Sequence, residues 1–416
     1  MQIGFIHADN DELRKVKMLW KSIATEGAID ELGIGRIRDY FSDRMFPGTS
    51  TLWTHAKYLT LLPILYLEAR EKRYDSIREV HENIIRLERL MTQSLIDGCK
   101  KKGKETSGII GRKSIKNNKK YVKYDPSYIY FAGMRNYGIL NTSNIANSIY
   151  KYSKIKHNQP DRLNRIINEE LGINEDWESL FEFCVRPTGR VDNIRDCSIE
   201  LTYDEAAFLK DKILKSSRCE GSLLSYILSN KIDISADYEK FESAILPDDL
   251  RQLFDDARAF SKLVEGEYLM YNYAFSLHNP EATTARCTSK DAMTQERLRY
   301  DFDRWVDDWK RMDVDINEVQ SRIMDGKVRC DSAWEFCMRF DGMCGDLSRG
   351  WGDLISLVTE REYRVKGSRN KIKNRMIYDP LHITHKNSLT YRWGTVQMLV
   401  NEINMGLENR KEVENG

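Results

Sequence analysis

A sustained helical pattern lies between Asp248 and Leu277, and it sets the expected fold class. Apolar side chains recur there every three or four residues, the spacing that lines one face of an α-helix; they are Leu250, Leu253, Phe254, Ala257, Phe260, Val264, Tyr268 and Tyr271. The 416-residue chain holds only 8 prolines and 24 glycines, too few helix-breaking residues for a fold of many short strands. We therefore predict a mainly α, multi-helical globular protein.

The same spacing predicts helices in most other parts of the chain. The clearest early helix covers residues 76–97, and Asp97-Gly98 is expected to end it. Two helices are expected within residues 203–230, and others are predicted over residues 34–45, 160–170, 176–184, 290–324, 330–360 and 391–407. The length suffices for two or three domains. We divide the chain into an N-terminal helical domain at 1–98, a basic irregular loop at 99–125, a middle helical region at 126–235 and a C-terminal long-helix domain at 236–416.

Residues 34–60 are compatible with a helix-turn-helix in the N-terminal part of the chain. The short turn at Phe46-Pro47-Gly48 allows two helices to cross. Hydroxyl and basic side chains from Thr49 to Lys57 would then open a second helix, whose N-terminus could meet a phosphate backbone. The alternative is an ordinary helical corner with a hydroxyl cap. The corner is favoured because the segment is not strongly basic.

A dense cluster of positive charge between Lys100 and Lys123 is the most informative feature for function. The whole chain is balanced, with 65 basic and 64 acidic residues. Within this segment, however, only Glu105 opposes ten basic residues, which are Lys100, Lys101, Lys102, Lys104, Arg112, Lys113, Lys116, Lys119, Lys120 and Lys123. Lysines that neutralise phosphates release counterions, and this makes the affinity sensitive to salt. We expect DNA, RNA or another polyanion to bind here; the alternative is a solvated loop without a ligand.

Aromatic residues follow this cluster closely. Tyr121, Tyr124, Tyr128 and Tyr130 lie within or just after it, and tyrosine rings can stack on exposed bases. The tyrosines therefore support a nucleic acid as the expected polyanion. Binding of a nucleic acid requires charge that stays available after folding, since carboxylates of the protein itself could neutralise the lysines.

A second basic loop is predicted over residues 361–375, but it is weaker because Glu360 and Glu362 lie beside it. Lys371 and Lys373 of this loop are included among the predicted nucleic-acid-binding residues. The two clusters would act together only if the fold brought them onto one face.

No complete catalytic or metal-binding motif occurs in the sequence, and we predict no catalytic residue, metal or cofactor. The segment from Gly98 to Lys104 has the spacing of a phosphate-binding loop, but Glu105 replaces the hydroxyl residue that holds magnesium. The segment before it also has a helical pattern, where such a loop requires a strand.

Two further groups of residues have a structural explanation that we prefer. Asp301, Asp303, Asp307, Asp308 and Lys310 resemble the acidic set of a nuclease, but they follow one helical pattern and fit a solvated acidic face. Cys330, Cys337 and Cys344 repeat every seven residues, about 10 Å apart along one helix. They are too far apart to share a zinc ion, and we expect them to be packing residues.

The sequence carries no sign of export or membrane insertion. The first nine residues lack a basic region followed by a long apolar run. The longest apolar stretch, Leu59 to Leu67, contains Pro63 and is shorter than the roughly 20 residues that span a bilayer. Eight cysteines do not form a dense disulfide framework in a chain of 416 residues. We expect a cytoplasmic protein with no membrane partner.

Several segments carry a resemblance that spans most of the chain and is densest in its first 140 residues. They are Gly27–Asp39, Phe46–Thr51, Ala56–Tyr58, Leu62–Pro63, Ile109–Arg112, Pro126–Tyr130, Gly133–Ile139, Asp204–Leu209, Leu263–Tyr273 and Tyr391–Trp393. On these segments the chain resembles a bacterial family known only as domain of unknown function 6361. The resemblance implies no catalytic residues. It implies a genomic context beside helicase, nuclease or methylase genes in antiphage islands, and hence protein subunits of those classes as partners.

Taken with that context, the basic cluster predicts a non-enzymatic accessory subunit of a bacterial antiphage defence system. The subunit would bind DNA, or a DNA-bound helicase or nuclease, through its basic surface. Two alternatives stay open. One is a nuclease-type enzyme whose acidic site is assembled from distant residues, and the other is a protein–protein scaffold without nucleic acid.

Overall fold

The computed structural model describes residues 32–52, 54–116, 121–158, 182–278, 295–323, 331–345, 350–373 and 388–409. Within these ranges the chain forms fourteen α-helices and no β-strand, which confirms the predicted mainly α class. The helices are α1 Gly35–Met45, α2 Tyr58–Arg70, α3 Ile77–Lys101, α4 Arg112–Lys116, α5 Pro126–Asn136, α6 Ile145–Asn158, α7 Tyr203–Lys215, α8 Leu223–Asn230, α9 Asp248–His278, α10 Gln295–Met312, α11 Ile316–Ile323, α12 Asp331–Gly345, α13 Trp351–Lys366 and α14 Trp393–Glu408.

These helices belong to two compact units, each built from separate stretches of sequence. The first unit comprises residues 32–42 and the described part of Tyr238–Tyr391. The second comprises the described parts of Asp43–Asp237 and Arg392–Gly416. One boundary between the units falls between Asp237 and Tyr238, and the described residues of the segment 99–125 lie in the second unit. The division into four consecutive regions stays a prediction.

The first unit is organised around α9, the helix predicted from the opening pattern. Apolar side chains are buried along its whole length, and α10 and α13 pack against it. Gly266 brings α10 close, because a Cβ at that position would lie 2.3 Å from the indole ring of Trp305. The indole Nε1 then donates a hydrogen bond to the carbonyl oxygen of Lys262 at 2.7 Å.

The second unit is organised around α2, which packs against α3, α5 and α6. Every residue from Tyr58 to Tyr66 is buried, which explains why this segment has a nearly continuous apolar sequence instead of one apolar stripe. Pro63 lies inside the helix and does not end it. No described helix is both long and apolar enough to cross a membrane.

The segment 49–57 does not form the second helix of a helix-turn-helix, since α2 begins only at Tyr58. The hydroxyl of Thr51 donates instead to a carbonyl oxygen of α5 at 2.6 Å. Lys57 is wholly buried, so it cannot face a phosphate backbone. The segment is therefore an ordinary corner, but without the expected hydroxyl cap, since Lys57 stands at the N-cap of α2 and makes no side-chain capping hydrogen bond.

The long helices predicted over 290–324 and 330–360 are each divided in two. Asp313 has a φ of 48°, a left-handed conformation that a helix does not continue through, and α10 ends directly before it. The carboxylate of Asp315 then accepts the N–H of Asn317 at 2.8 Å at the start of α11. Similarly, α12 ends at Gly345 and α13 starts at Trp351.

The basic loop predicted over 361–375 is partly helical, because α13 continues to Lys366. Arg361 is buried on this helix, where its Nε donates to the carbonyl oxygen of Leu32 at 2.7 Å and its Nη1 to that of Ser332 at 2.8 Å. These hydrogen bonds from the Arg361 guanidinium therefore link α13 to two other segments of the first unit. The helix expected over 160–170, most of that over 176–184, and Cys330 lie outside the described residues.

Candidate polyanion-binding surface

The surface predicted from the basic cluster is built on α3. The hydroxyl of Ser76 caps this helix by accepting the N–H of Glu79 at 3.3 Å. The predicted apolar stripe faces the core, and its buried members are Val80, Ile84, Leu87, Met91 and Leu95. Because this face fixes the rotation of the helix, its polar face is turned to solvent.

The prediction that Asp97-Gly98 ends α3 is wrong, because the helix continues for one more turn to Lys101. A Cβ at Gly98 would lie 2.1 Å from the carbonyl oxygen of Cys197. Glycine is needed here because a distant segment passes against the helix, and not because the helix stops. The extra turn carries Lys100 and Lys101, whose charges suit the negative end of the helix dipole.

Gly103 terminates α3 and accounts for the resemblance to a phosphate-binding loop. Its φ is 64°, and its N–H donates to the carbonyl oxygen of Lys100 at 3.0 Å, while the N–H of Lys104 donates to that of Cys99 at 2.8 Å. These paired bonds form a Schellman motif. A phosphate-binding loop instead precedes a helix and points free N–H groups at its ligand, so the matching spacing is coincidental.

The chain after Gly103 is irregular up to Gly111 and then forms the short helix α4, which was not predicted within the irregular loop, and it is anchored to the second unit. Ile110 is buried; its N–H donates to the hydroxyl of Tyr58 at 2.9 Å, and its carbonyl oxygen accepts the hydroxyl of Thr92 at 3.2 Å. Nε2 of His55 lies 3.1 Å from the carbonyl oxygen of Ser107. The basic residues on either side are therefore carried by an ordered framework.

Three of the predicted lysines meet carboxylates of the same unit. Nζ of Lys100 lies 3.8 Å from Asp97. Nζ of Lys102 lies 3.1 Å from one oxygen of Glu200, and Lys104 contacts the other. Burial raises the pKa of Glu200, but the hydrogen bonds from Lys104 and Lys102 outweigh burial and lower it below its ordinary value. A single ionised carboxylate thus offsets two lysines, which leaves one positive charge.

Three other lysines keep their charge in the part of the chain that the structure describes. Lys101, Lys113 and Lys123 are exposed and form no ion pair there. Arg112 donates its Nη1 to the hydroxyl of Thr106 at 2.5 Å. Lys116 ends α4, and Lys119 and Lys120 lie outside the described residues. We call the surface formed by Lys100–Lys104, Arg112, Lys113 and Lys123 the basic strip.

Lys100 and Lys101 of the basic strip lie on the last turn of α3, whereas Lys123 lies between Tyr121 and Ser127, which contact the middle of that helix. Glu88 contacts the start of α5, beside Lys123, through Ser127, and Lys101 lies thirteen residues further along α3. At 1.5 Å per residue these two parts of α3 are about 20 Å apart along the helix axis.

The four tyrosines beside the cluster divide into two kinds. Tyr121 and Tyr130 point inward, where the hydroxyl of Tyr121 lies 3.4 Å from that of Thr92 and Tyr130 donates to the carbonyl oxygen of His55 at 2.7 Å. Tyr124 and Tyr128 pack on each other, and Tyr128 is exposed. Only this second pair is available for a ligand.

Lys371 and Lys373 belong to the first unit, and the basic strip to the second. The backbone N–H groups of Lys371 and Ile372 donate to the buried carboxylate of Glu362 at 2.8 and 3.0 Å. This carboxylate also accepts the hydroxyl of Tyr271 at 2.9 Å. The main chain here is fixed by the fold, and the side chain of Lys373 is exposed.

A buried ionic cluster beneath the strip was not predicted. Nζ of the wholly buried Lys57 donates to Asp192 at 2.7 Å and to the carbonyl oxygen of Glu200 at 3.0 Å. The carboxylate of that same Glu200 pairs with the strip. No local sequence signal marks this cluster, because the partners lie more than one hundred residues from Lys57.

The acidic residues of α10 do not converge on a site. Asp301 pairs with Arg297 at 3.1 Å and Asp308 with Arg311 at 2.5 Å, each along the same helix. Asp303 is exposed. Among the described residues, no three His, Cys, Asp or Glu side chains are grouped so that they could hold a metal ion.

The cysteines of α12 are core residues, as expected. Cys337 and Cys344 are buried, and burial raises the pKa of both thiols, with the Glu267 carboxylate adding to the rise at Cys337. Thiols held neutral in this way are poor nucleophiles and poor metal ligands.

A model of a family of unknown function, DUF6361, matches residues 1–394. The chain belongs to this family. The match confirms the resemblance drawn from the sequence segments. No curated protein and no solved structure matches the DUF6361 protein, and the family description assigns it no activity. Its function must therefore be argued from its own surface.

Proposed function

We propose that the DUF6361 protein is a non-enzymatic accessory subunit that binds DNA, or a DNA-bound helicase or nuclease, through the basic strip. The proposal places it in the cytoplasm, in a bacterial antiphage defence system, the context that the family resemblance implies. RNA shares the phosphate chemistry on which the proposal is based.

The charge left on the strip after folding supports this proposal. Lys101, Lys113 and Lys123 lack ion pairs within the described ranges, and Lys102 and Lys104 share one carboxylate. The strip is also anchored through the buried main chain of Ile110. A surface that is ordered before binding loses less conformational entropy when a ligand arrives.

The test measures binding of a fluorescein-labelled DNA duplex and of the matching single strand by anisotropy, at about 50 and about 200 mM salt. The test variant carries Lys101→Ser, Lys113→Ser and Lys123→Ser. The control variant carries Lys151→Ser, Lys215→Ser and Lys231→Ser, three exposed lysines of the same unit outside the strip. Both variants lose the same net charge.

Wild type is expected to bind with an affinity that falls steeply with salt. The strip variant should bind more weakly and lower the slope of log affinity against log salt by about two to three, roughly one for each phosphate that the strip no longer neutralises. The control should behave like wild type. Equal affinity of the two variants would reject the strip as the binding surface, and copurification of a partner that survives nuclease treatment would favour a protein scaffold.

A further inference from the structure

The half-buried Tyr124 and the exposed Tyr128 form an aromatic platform next to the basic strip. Their ring centroids are 5.1 Å apart and their planes differ by 31°, a tilted arrangement close to stacking. Tyr128 is 62% exposed, the largest exposed fraction among the large apolar side chains of the described residues. Nζ of Lys123 lies 5.2 Å from the centroid of Tyr124, so a cation of the strip adjoins the platform.

The backbone beneath this platform is held in place. The carboxylate of Asp125 caps α5 by accepting the N–H of Tyr128 at 2.8 Å. The neighbouring Ser127 donates both its N–H and its hydroxyl to the buried carboxylate of Glu88, at 2.8 and 2.7 Å. The ring of Tyr128 is therefore presented from a fixed helix N-terminus, and the Asp125 carboxylate is engaged by the backbone N–H of Tyr128.

We infer that the nucleic acid taken by the strip is single-stranded, and that an unpaired base stacks on Tyr128. This inference rests on the proposed function and adds that the bound nucleic acid is single-stranded and not a duplex. Phosphate contacts need lysines but no exposed ring, whereas a base can use an aromatic face only when it is not already stacked within a duplex. The lysines of the strip hold the backbone while the platform beside Lys123 takes a base.

The alternative for the platform is a purely structural ring pair that covers the first turn of α5. The inward-pointing Tyr121 and Tyr130 serve such a role, because their hydroxyls bond within the protein. Tyr128 differs in that most of its ring meets solvent. Lys123 lies beside Tyr124, and this cation favours an anionic partner next to the platform.

The experiment compares oligothymidylate of about 20 nucleotides with a duplex of equal length, a size above the roughly 4–16 nucleotides that such sites occupy. Tyr128→Leu removes the ring, and Tyr128→Phe keeps it. Tyr300→Leu is the matched control, since Tyr300 is 60% exposed on α10 and also lies beside an arginine. Circular dichroism checks that each variant folds.

Tyr128→Leu is expected to weaken single-strand binding about tenfold, the effect of one base–aromatic stack, and to change duplex binding less than about twofold. Tyr128→Phe and Tyr300→Leu should bind like wild type. If Tyr128→Leu binds the single strand as wild type does, while the lysine variant is weakened on both ligands, the stacking inference fails and the proposed function stands. If wild type binds neither ligand, both fail together.

Discussion

The ammonium nitrogen of Lys57 lies 2.5 Å from Oε2 of Glu205, and both side chains are wholly buried in the second unit. This pair does more than join α2 to α7. Lys57 also holds the carbonyl oxygen of Glu200, whose carboxylate receives Lys102 and Lys104 at the surface. The buried pair therefore positions the residue that limits the free charge of the basic strip.

Replacing Lys57 by methionine should destabilise the protein by about 3–5 kcal/mol, because it leaves the buried carboxylate of Glu205 without its counter-charge. Urea unfolding followed by circular dichroism measures the change. Lys215→Met is the control, since Lys215 forms an exposed ion pair with Asp211 within α7 and should change stability by less than about 0.5 kcal/mol. Similar midpoints for the two variants would contradict a structural role for the buried pair.

Glu200→Gln should strengthen binding of nucleic acid, because it frees Lys102 and Lys104 for phosphates and leaves the backbone bond to Lys57 intact. The slope of log affinity against log salt should steepen by about one for each lysine that gains a phosphate. Glu220→Gln removes the same charge from an exposed site of the same unit and should have a smaller effect. Equal gains would show that only the net charge matters.

The stability of the first unit should fall as pH rises, because of Glu267. Burial raises the pKa of this carboxyl to about 8, although Cys337 and Arg361 act to lower it. The folded state therefore keeps a proton that the unfolded chain releases near the ordinary pKa of 4.5. Stability is full below that value and is lost between it and the folded pKa, by about 1.4 kcal/mol per pH unit at most.

Glu267→Gln should flatten this dependence, since the amide cannot ionise. The measurement is Tm across the same pH window, with Glu296→Gln as the control at an exposed position of α10. A smaller slope should persist, because burial, followed by the nearby charge of Asp125, also raises the pKa of Glu88 to about 8 in the second unit. Parallel curves for wild type and Glu267→Gln would contradict the assignment.

The periodicity of apolar residues in the sequence correctly predicted the helices that bury one apolar face. The long helix α9, the α7–α8 pair and the last helix were placed within a few residues of their observed ends. The same patterns could not show where a helix breaks between two apolar stripes. The left-handed residue Asp313 divides such a stretch without interrupting its apolar spacing.

From the local sequence alone, Gly98 and Gly103 could each be the residue that ends α3. The structure gives the two glycines different roles. Gly103 ends α3 through bonds to its own last turn, which a local pattern can express. Gly98 is required by the carbonyl oxygen of Cys197, which belongs to a distant segment. The partner of the strip is equally remote, since Glu200 follows Lys104 by 96 positions. The spacing of lysines in the sequence predicted the basic cluster. Only the tertiary structure shows which of these lysines pair with a carboxylate and which do not.

His55 should hold the segment after Gly103, through its contact with Ser107, more strongly at low pH than at high pH. Its Nδ1 lies 2.6 Å from Glu402 and its Nε2 3.1 Å from the carbonyl oxygen of Ser107, so both ring nitrogens face acceptors and both bonds require the protonated ring. Burial lowers the pKa of His55, but Glu402 outweighs burial and raises it above 6.5. The stabilisation is full below the unfolded value and is lost as pH rises through the folded one.

Limited trypsin digestion at the lysines of the strip tests this role of His55, with wild type and His55→Gln compared at each pH. The variant should be cut faster than wild type at about pH 6, and the difference should shrink as the pH rises through the folded pKa of His55. Comparison at equal pH removes the pH dependence of the protease. Equal cleavage at the lower pH would contradict the proposed fastening by His55.

Gly98→Ala should destabilise the second unit by about 1–3 kcal/mol, although alanine is the better helix former. The added methyl group would meet the backbone of Cys197, and such overpacking outweighs the gain in helix propensity of about 1 kcal/mol. Gly342→Ala is the matched control, because Gly342 is also helical and has open space around it. This control should stabilise the protein. If both substitutions stabilise it equally, then helix propensity governs Gly98, and the close approach that extends α3 to Lys101 is not required.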